Sequence, residues 1–435
     1  MSLIKKTREA LSDVPHYKVL GHVERIKGLV IESRGPKTSM GQLCSVTTQN
    51  GKRLAEVVGF DGPTTLLMAL QEMDGLSPGD QVAAYGMPLT IGLSSRLMGR
   101  VINGLGQPID NGPAIPVNEY RSLNAEAPHP LTRSRVQTAL PVGVRAIDGM
   151  LTLGQGQRVG IFAGSGVGKS ILLGMMAKFT AADVVVVGLI GERGREVREF
   201  IEKHLGTEGL KKTIVVSETS DRWPLLRIKG ALTTTTIAEY FRDQGKRVLM
   251  LLDSITRVCH AYREVGLSLG EPPATRGYPP SVFAALPKLL ERTGNSECGS
   301  ITAIYTVLVE GDDMLEPVAD SVRSILDGHI VLSRKLAAKN HYPAIDIMSS
   351  VSRVMPDIIT ADHMKSVTML KELMSAYQDA EDLISIGAYA KGSRPMVDKA
   401  MDKLPKAERI LRQHMDEPSD IDQAVQQLRD LVQAK

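Results

Sequence analysis

The chain has 435 residues, long enough for several domains, and its 52 basic and 49 acidic side chains leave a net charge of +3. This balance excludes a surface that is basic throughout, as in a nonspecific nucleic-acid binder. Three distant cysteines without a C-x-x-C pair are typical of a reducing compartment. The N-terminus lacks the apolar segment of a secretory signal and no apolar run is long enough to span a bilayer, so we expect a soluble cytoplasmic protein.

The first part of the chain predicts a tail followed by a small β domain. Residues 1–20 are mixed in character, and they fit either an amphipathic docking tail or a frayed terminus. Residues 21–93 carry short β-branched runs separated by Gly and Pro. Within them, Asn50-Gly51 between two alternating segments is a strong signal for a two-residue hairpin. We therefore expect an N-terminal β-barrel over residues 21–93.

The remainder predicts an α/β domain followed by helices. Residues 94–345 begin with a connector rich in Gly and Pro, and then apolar strands alternate with helical patterns. That alternation predicts a mostly parallel sheet with helices on both faces. In residues 346–435 the apolar residues recur at helical spacing, which predicts a C-terminal helical domain. The fold class is thus multidomain α/β.

The segment 158–170, R-V-G-I-F-A-G-S-G-V-G-K-S, organises the rest of the chain. An apolar strand, a glycine loop and a helix opened by Lys-Ser follow in the order that a phosphate-binding loop requires. Ala163 stands where the GxxxxGK[ST] pattern has Gly, and the alternative is a glycine-rich turn before an ordinary helix. We expect backbone amides to surround phosphate oxygens, the lysine to reach the β- and γ-phosphates and the serine to ligate Mg²⁺. The predicted nucleotide-binding residues of this loop are Gly164, Ser165, Gly166, Val167, Gly168, Lys169, Ser170 and Ile171.

Two acidic residues complete the predicted site. Asp253 ends the apolar run 247–253, which suits an acid that holds Mg²⁺, although it also fits a cap of the following helix. Glu192 and Arg193 follow the apolar run 184–190, at the edge of a parallel sheet where ligands bind. There Glu192 can polarise an attacking water or contact the metal, and Arg193 can hold a phosphate. The alternative is a solvated charged turn that opens a helix.

Several longer segments carry a resemblance to a known family. They are G-L-I-G-E-R-G-R-E-V-R-E-F (188–200), L-L-D-S-I-T-R (251–257), G-E-P-P-A-T-R-G-Y-P-P-S-V-F (270–283), Y-T-V-L-V-E-G-D-D (305–313), I-L-D-G-H-I-V-L-S-R (325–334) and H-Y-P-A-I-D-I (341–347). Together with the phosphate loop they resemble the flagellar and type III secretion export ATPases, which are relatives of the catalytic subunit of rotary F/V-type ATPases. The segment I-G-A-Y-A-K-G-S (386–393) favours the flagellar branch. The resemblance implies a RecA-like central domain and a homohexamer that hydrolyses ATP with Mg²⁺ to energise flagellar protein export.

The resemblance also assigns roles that the pattern alone does not. It makes Glu192 the catalytic glutamate, Arg193 its phosphate-contacting neighbour and Arg257 an arginine near the γ-phosphate. It makes Tyr342 the aromatic residue that packs on adenine and Arg353 an arginine finger supplied by the neighbouring subunit. Without the family, Tyr342 would be interpreted as a core residue and Arg353 as a surface ion pair.

Partners and alternatives follow from the same resemblance. The implied partners are a regulator of the N-terminal tail, a central coiled-coil stalk protein, export-gate membrane proteins and chaperone–cargo complexes, with no nucleic acid. The implied location is the inner face of the cytoplasmic membrane. A virulence-type secretion ATPase stays open as an alternative. A rotary synthase subunit is disfavoured because no D-E-L-S-E-E-D-like loop is evident, and a nucleic-acid translocase because aromatic residues make up only 4% of the chain.

Overall fold

The structure is a computed structural model that describes residues 19–309, 311 and 313–433. The predicted tail, residues 1–20, lies outside these residues except for its last two, and both of its interpretations stay predictions. The described chain divides into two compact units. One comprises the residues up to 90 together with 223–225 and 264–272, and the other comprises the rest.

The first unit contains a closed barrel of six antiparallel strands, which confirms the predicted barrel. Around the barrel the strand order is β1-β2-β5-β4-β3-β6. At the Asn50-Gly51 turn, Thr48 pairs with Gly51, whose φ of +102° favours glycine. The strands are β1 (Gly21–Lys27), β2 (Val30–Arg34), β3 (Gln42–Thr48), β4 (Gly51–Asp61), β5 (Thr64–Ala69) and β6 (Gln81–Pro88).

The second unit is built on a nine-stranded sheet in the order β17-β16-β10-β15-β13-β11-β12-β8, with β14 beside β15. All pairs from β16 to β8 are parallel, which confirms the mostly parallel sheet, while β17 and β14 pair antiparallel. The strands, with β7 and β9 forming a separate ribbon, are β7 (Thr90–Leu93), β8 (Val101–Ile102), β9 (Glu119–Ser122), β10 (Arg158–Ala163), β11 (Val184–Ile190), β12 (Thr213–Glu218), β13 (Arg247–Asp253), β14 (Gly294–Asn295), β15 (Ser300–Leu308), β16 (Gly328–Leu332) and β17 (Ile345–Ser352).

Helices connect these strands and form the C-terminal region. No helix in the described ranges has both the length and the apolar character needed to cross a bilayer. The helices are α1 (Arg145–Met150), α2 (Lys169–Phe179), α3 (Gly194–Glu199), α4 (Gly206–Lys211), α5 (Pro224–Arg242), α6 (Ile255–Ser268), α7 (Pro280–Leu290), α8 (Pro317–Ile325), α9 (Arg334–Ala338), α10 (Met355–Ile358), α11 (Ala361–Gln378), α12 (Glu381–Ser385), α13 (Pro395–Leu411) and α14 (Ile421–Gln433).

The sheet extends past residue 345, after which we expected the helical domain to begin. Strand β17 runs through residue 346 to Ser352 and pairs with β16, so residues 346–352 belong to the sheet. This edge strand contains three serines and is only partly buried, so it lacks the apolar run that marks the central strands. Buried residues of α11, α13 and α14 share one apolar core with the sheet. The C-terminal helices are therefore packed on the α/β domain.

Candidate nucleotide-binding site

The phosphate loop lies between the end of β10 and the start of α2. Gly166 has a φ of +79° and Gly168 a φ of +90°, in the left-handed region that glycine adopts without strain. Gly168 precedes the helix and supplies no side-chain cap to it. The first amide groups of α2 are thus open to an anion, which the positive end of the helix dipole also favours.

The departure at Ala163 has a steric explanation. Ala163 is the last residue of β10, is 1% exposed, and pairs with Leu308 and Leu332 on the neighbouring strands. Its methyl group therefore belongs to the core. At Gly164, in contrast, a Cβ atom would lie 2.5 Å from Nη2 of Arg334. At position 164, one residue after the position in the general pattern, a side chain would therefore displace the end of the Arg334 side chain.

Three strand ends bring Lys169, Asp253 and Glu192 together. Lys169 Nζ lies 2.5 Å from Asp253 Oδ1 and 3.7 Å from Glu192 Oε1, and all three side chains are largely buried. Asp253 also accepts a hydrogen bond of 2.6 Å from Thr306 Oγ1. Ser254 Oγ, rather than the aspartate, accepts a hydrogen bond from a backbone amide at the start of α6. The Asp253 carboxylate thus points at the phosphate-loop lysine.

One carboxylate oxygen of this cluster, Glu192 Oε1, is near the lysine but accepts no hydrogen bond. Burial, and then the charge of Asp253, raise the pKa of Glu192 to about 7. Glu192 Oε1 is buried and accepts no hydrogen bond. For Lys169, burial lowers the pKa, but the charges of Asp253 and Glu192 outweigh it and raise the pKa overall. Such an orphaned oxygen is the group that a bound water, metal ion or phosphate would satisfy.

The donor set fits Mg²⁺ bound together with a nucleotide. The Ser170 hydroxyl and the carboxylates of Asp253 and Glu192 are oxygen donors, the kind that Mg²⁺ prefers. Among the described residues, no three or more His, Cys, Asp or Glu side chains form a metal-binding group. Mg²⁺ commonly takes one or two carboxylates and completes its shell with water and substrate phosphates. The described residues can therefore hold Mg²⁺ together with a bound nucleotide, but they do not form a site in which the protein supplies every ligand.

The two arginines near this cluster differ in environment. Arg257 packs against the Glu192 loop, since a Cβ on Gly191 would lie 2.7 Å from its Cβ, and its Nε is buried without a hydrogen-bond partner. The side chain of Arg193 is 82% exposed, and its guanidinium lies 3.8 Å from Glu196. In this single chain Arg193 therefore has the environment of a solvated turn, and only Arg257 lies beside the loop.

A pocket of about 190 Å³ lies beside the phosphate loop, with Gly168 and Ile171 in its lining. Tyr342 is 39% exposed, and its ring lies 3.3 Å from the position that a Cβ on Gly168 would occupy, so it is no core residue. The C-terminal segment 413–415 forms part of the wall. Its lining residues are Gly168, Ile171, Leu172, Met175, Leu332, Tyr342, Pro343, Ala344, Gln413, His414 and Met415. This pocket, which we call the base pocket, presents a largely apolar surface next to the loop.

Arg353 lies at the opposite end of the strands from the phosphate loop. It follows β17, whose last residue, Ser352, pairs with Gly328 at the start of β16. The phosphate loop begins beside the other end of β16, where Leu332 pairs with Ala163. Leu332 lies roughly 13 Å along the strand from Gly328. Within the described part of the chain the exposed Arg353 guanidinium has no hydrogen bond or ion pair. The surface ion pair considered from sequence is absent there.

Comparisons with known proteins agree with this geometry. Models of the ATP synthase alpha/beta family match its nucleotide-binding domain at residues 143–352 and its beta-barrel domain at 23–86, and a T3SS EscN ATPase C-terminal domain matches 359–430. The flagellum-specific ATP synthase of Bacillus subtilis is 52% identical over 96% of each chain. The type 3 secretion system ATPase of Xanthomonas euvesicatoria is 48% identical over 92% of this chain and 91% of its own.

A solved structure is similar over the same extent. It is the assembled ATPase EscN in complex with its central stalk EscO, from the type III secretion system of enteropathogenic E. coli. The TM-score is 0.88 at 46% identity, and the match covers 95% of this chain and 100% of that one. This chain belongs to the family of flagellum-specific and type III secretion ATPases. It is an ATPase with the barrel, α/β and helical regions of that family.

Three features of this ATPase's site escaped sequence reasoning. Segment 413–415 joins the base pocket from about 70 residues beyond Tyr342, and no local motif announces it. Arg334 lies against the phosphate loop, and although it ends the family-like segment 325–334, we assigned it no role from sequence. The third is Glu218, a buried carboxyl group at the end of β12.

Glu218 lies behind the loop that carries Glu192. Its backbone oxygen accepts a 2.7 Å hydrogen bond from Gly191 N, and Ser220 N donates to Glu192 O at 3.0 Å. The Glu218 side chain accepts a 2.6 Å bond from Gly104 N, and burial raises its pKa to about 7. As the end of an apolar strand, it carries the same sequence signal as Asp253, but its side chain packs inward.

Proposed function

We propose that this ATPase hydrolyses Mg-ATP to energise flagellar type III protein export, releasing chaperones and unfolding cargo at the export gate as a homohexameric ring. The observation that carries the proposal is the buried cluster of Lys169, Asp253 and Glu192 directly behind the phosphate loop. Positive charge, a metal-binding acid and a carboxylate with an unsatisfied oxygen are the groups that phosphoryl transfer to water requires.

Each residue has a distinct part in the proposed reaction. The loop amides and Lys169 hold the β- and γ-phosphates, while Ser170 and Asp253 would hold the metal. Mg²⁺ bound there would supply positive charge to the phosphates. Glu192 orients a water and takes up its proton as the oxygen attacks the γ-phosphorus and the bond to ADP breaks. A pKa of about 7 suits this base near neutral pH. Arg257 stabilises the γ-phosphate from beside the Glu192 loop.

Arg353 and Arg193 act in this proposal at the boundary between subunits. Arg353 cannot reach its own phosphate loop from the opposite end of the strands, and its guanidinium is free for another chain. A head-to-tail ring presents such an arginine to the site of the neighbouring subunit. Arg193, exposed beside Glu192, contacts phosphate when the interface closes over it. The assembled state and the central stalk of the EscN structure support a ring with a stalk partner for this chain.

The flagellar assignment draws support from the Bacillus subtilis relative at 52% identity. The virulence-type alternative has its own support, because the secretion ATPase of Xanthomonas euvesicatoria is 48% identical. We place the protein at the inner face of the cytoplasmic membrane, with a regulator of residues 1–20, the export gate and chaperone–cargo complexes as further partners. Loss of motility on deleting the gene, reversed by the wild type but not by Glu192→Gln, separates the flagellar from the virulence function.

ATPase activity measured against protein concentration tests the enzyme itself. Because the site is shared, specific activity should rise steeply with concentration as rings form. Arg353→Ala and Lys169→Ala should each be inactive, and mixing them should restore part of the turnover, since some interfaces then combine an intact loop with an intact finger. No hydrolysis at any concentration contradicts the proposed activity, and no rescue in co-assembled rings contradicts the shared site.

A further inference from the structure

A buried glutamine holds the backbone from which Arg353 projects. Arg353 lies in the turn after β17, and its backbone N donates a 3.0 Å hydrogen bond to Asp327 O, directly before β16. The same carbonyl oxygen accepts a 3.2 Å bond from Nε2 of Gln157. Gln157 directly precedes β10 and is fully buried. Asp327 O therefore links the exposed arginine to a side chain in the interior.

Gln157 also holds the residue that precedes the arginine. Its Nε2 donates a second bond, of 3.1 Å, to Oγ of Ser352, and this hydroxyl in turn donates to Thr152 O at 2.9 Å. Its Oε1 accepts a 2.9 Å bond from Gly154 N. Both amide hydrogens and the amide oxygen are thus used. One amide group therefore fixes the last residue of β17 and, through Asp327 O, the backbone of the residue after it.

Close packing restricts movement at this end of the strands. A Cβ on Gly328, the first residue of β16, would lie 2.5 Å from a backbone oxygen of β17 and 3.3 Å from Gln157 Nε2. Asp327 is fixed by Arg158, whose backbone N and Nε both donate to its Oδ2, at 3.0 and 3.1 Å. The carbonyl oxygen that Gln157 and Arg353 share is therefore held from its own side as well.

Another buried side chain anchors the turn that carries Gln157. Thr302 Oγ1 accepts a 2.9 Å bond from Gly156 N and donates one of 3.2 Å to Gly154 O. Neither of these bonds reaches the strand ends beside Arg353. Both bonds that Gln157 donates do reach them, so its two hydrogens serve the segment that ends in the arginine.

We propose that Gln157 is a positioning residue for the arginine finger, holding Ser352 and Arg353 so that the guanidinium meets the γ-phosphate of the neighbouring subunit. This inference rests on the proposed function, because it names what supports the finger of the shared site. Among the described residues the guanidinium has no hydrogen bond or ion pair, so its backbone sets where it starts. A finger contributes about 10³–10⁵ to turnover, and a displacement of about 1 Å can cost about 10². Gln157 lies one residue before the strand that leads to its own phosphate loop, yet its donors serve the neighbouring site.

Substitution of Gln157 separates this role from a general effect on the fold. Gln157→Met keeps a side chain of similar length but removes both donors. We expect kcat to fall by about 10–10², because the finger is displaced. The dissociation constant of a fluorescent ATP analogue with Mg²⁺ should not change, since the phosphate loop is intact. Thr302→Val is the matched control, because it removes the two bonds to the same turn, and it should lower the melting temperature but not kcat. Equal losses of kcat in both variants overturn the inference.

Mixed rings show which of the two sites Gln157 supports. Lys169→Ala subunits carry an intact finger, so adding them to Gln157→Met subunits should raise turnover per Gln157→Met subunit. Adding Arg353→Ala subunits should give no such rise, because neither partner then supplies a well-placed finger. The reverse pattern means that Gln157 supports its own phosphate loop, and it overturns the inference.

The reference is the mixture of Arg353→Ala with Lys169→Ala. If this reference shows no rescue, the shared site of the proposed function fails and the inference fails with it. If the reference is rescued but the mixture of Gln157→Met with Lys169→Ala is not, only the inference fails.

Ser352→Ala tests the same contact from the finger side. It removes the hydroxyl between Gln157 and Thr152 at a partly exposed position of an edge strand, so it remains informative if Gln157→Met does not fold. We expect kcat to fall by about tenfold, with the same pattern in mixed rings. Ser352→Ala with the kcat of the wild type contradicts the inference. The double variant should lose no more than Gln157→Met alone, because both changes break one connection, and losses that multiply contradict it.

Discussion

At the two ends of the proposed nucleotide site, the buried polar atoms differ in whether they have hydrogen-bond partners. At the phosphate end, Glu192 Oε1 and Arg257 Nε are buried without hydrogen-bond partners. At the base end, both amide hydrogens and the oxygen of Gln413 are bonded to the protein. Since an unsatisfied buried polar atom is unfavourable, it marks a place where a ligand completes the structure. A saturated one, such as the Gln413 amide, holds the protein segments together.

The difference gives the two ends distinct parts in the proposed binding of a nucleotide. Charged groups held on strand ends can tell a triphosphate from other ligands, because their attraction depends on charge and position. An apolar pocket of carbon atoms and one ring depends on contact area. Changes at the phosphate end should therefore alter turnover equally for every base, and those at the base end should alter affinity.

The largest expected effect is at Glu192. Glu192→Gln should lower kcat by about 10²–10⁴, because water loses its proton acceptor, and by the same factor for ATP and GTP. Binding of the fluorescent nucleotide should persist. Glu199→Gln, at the end of the helix that follows Glu192 and in an exposed pair with Lys203, is the control. If Glu192→Gln abolishes nucleotide binding, the glutamate has a structural role that we have not assigned to it.

A smaller effect is expected at the glycine of the phosphate loop. Gly164→Ala places a methyl group against the Arg334 guanidinium and should lower kcat/KM roughly tenfold, within the range expected for overpacking. Ala163→Gly, which restores the general pattern, should leave kcat/KM within about twofold and only lower stability, because a buried methyl group is lost. Steady-state kinetics and melting temperatures of both variants measure this. A larger kinetic loss in Ala163→Gly than in Gly164→Ala would reverse the steric explanation.

The smallest effect concerns the support of the phosphate end by Glu218. Its pKa is raised to about 7 in the folded protein, above its value of 4.5 when exposed, so the folded state holds this proton more tightly. The resulting stability is fully present below pH 4.5 and is lost as the pH rises towards 7. Denaturant unfolding between pH 4.5 and 8 should show wild type losing about 1–3 kcal/mol relative to Glu218→Gln. Glu208→Gln, an exposed carboxylate on α4, serves as control; a wild type that gains stability relative to Glu218→Gln over this interval contradicts the assignment.

Local sequence was enough for the features that depend on neighbours along the chain. The phosphate loop spans residues 164–171, so its strand, glycines and helix can be recognised together. The Asn50-Gly51 hairpin is local in the same way. Asp253 and Glu192 could be named because parallel strands end at a common edge, which makes a carboxylate after an apolar run informative. The contact of Lys169 with both carboxylates agrees with that expectation.

Other features follow from pairings between distant segments. Sequence did not reveal that β17 extends the sheet past residue 345, because an edge strand with three serines lacks a continuous apolar run. It did not reveal that Arg334 packs on Gly164, or that segment 413–415 completes the base pocket. The last two of these contacts join segments 70 or more residues apart, and no pattern in either segment specifies the other.

The amino-acid sequence by itself was enough to propose the phosphate-binding groups, because the loop, its lysine and the strand-terminal acids are defined by local backbone geometry and charge. Only the tertiary structure decided which buried polar atoms are already satisfied and which are free. Hydrogen bonding depends on the distance between atoms, and those distances are set when remote segments such as Arg145 and Gln413 are packed together.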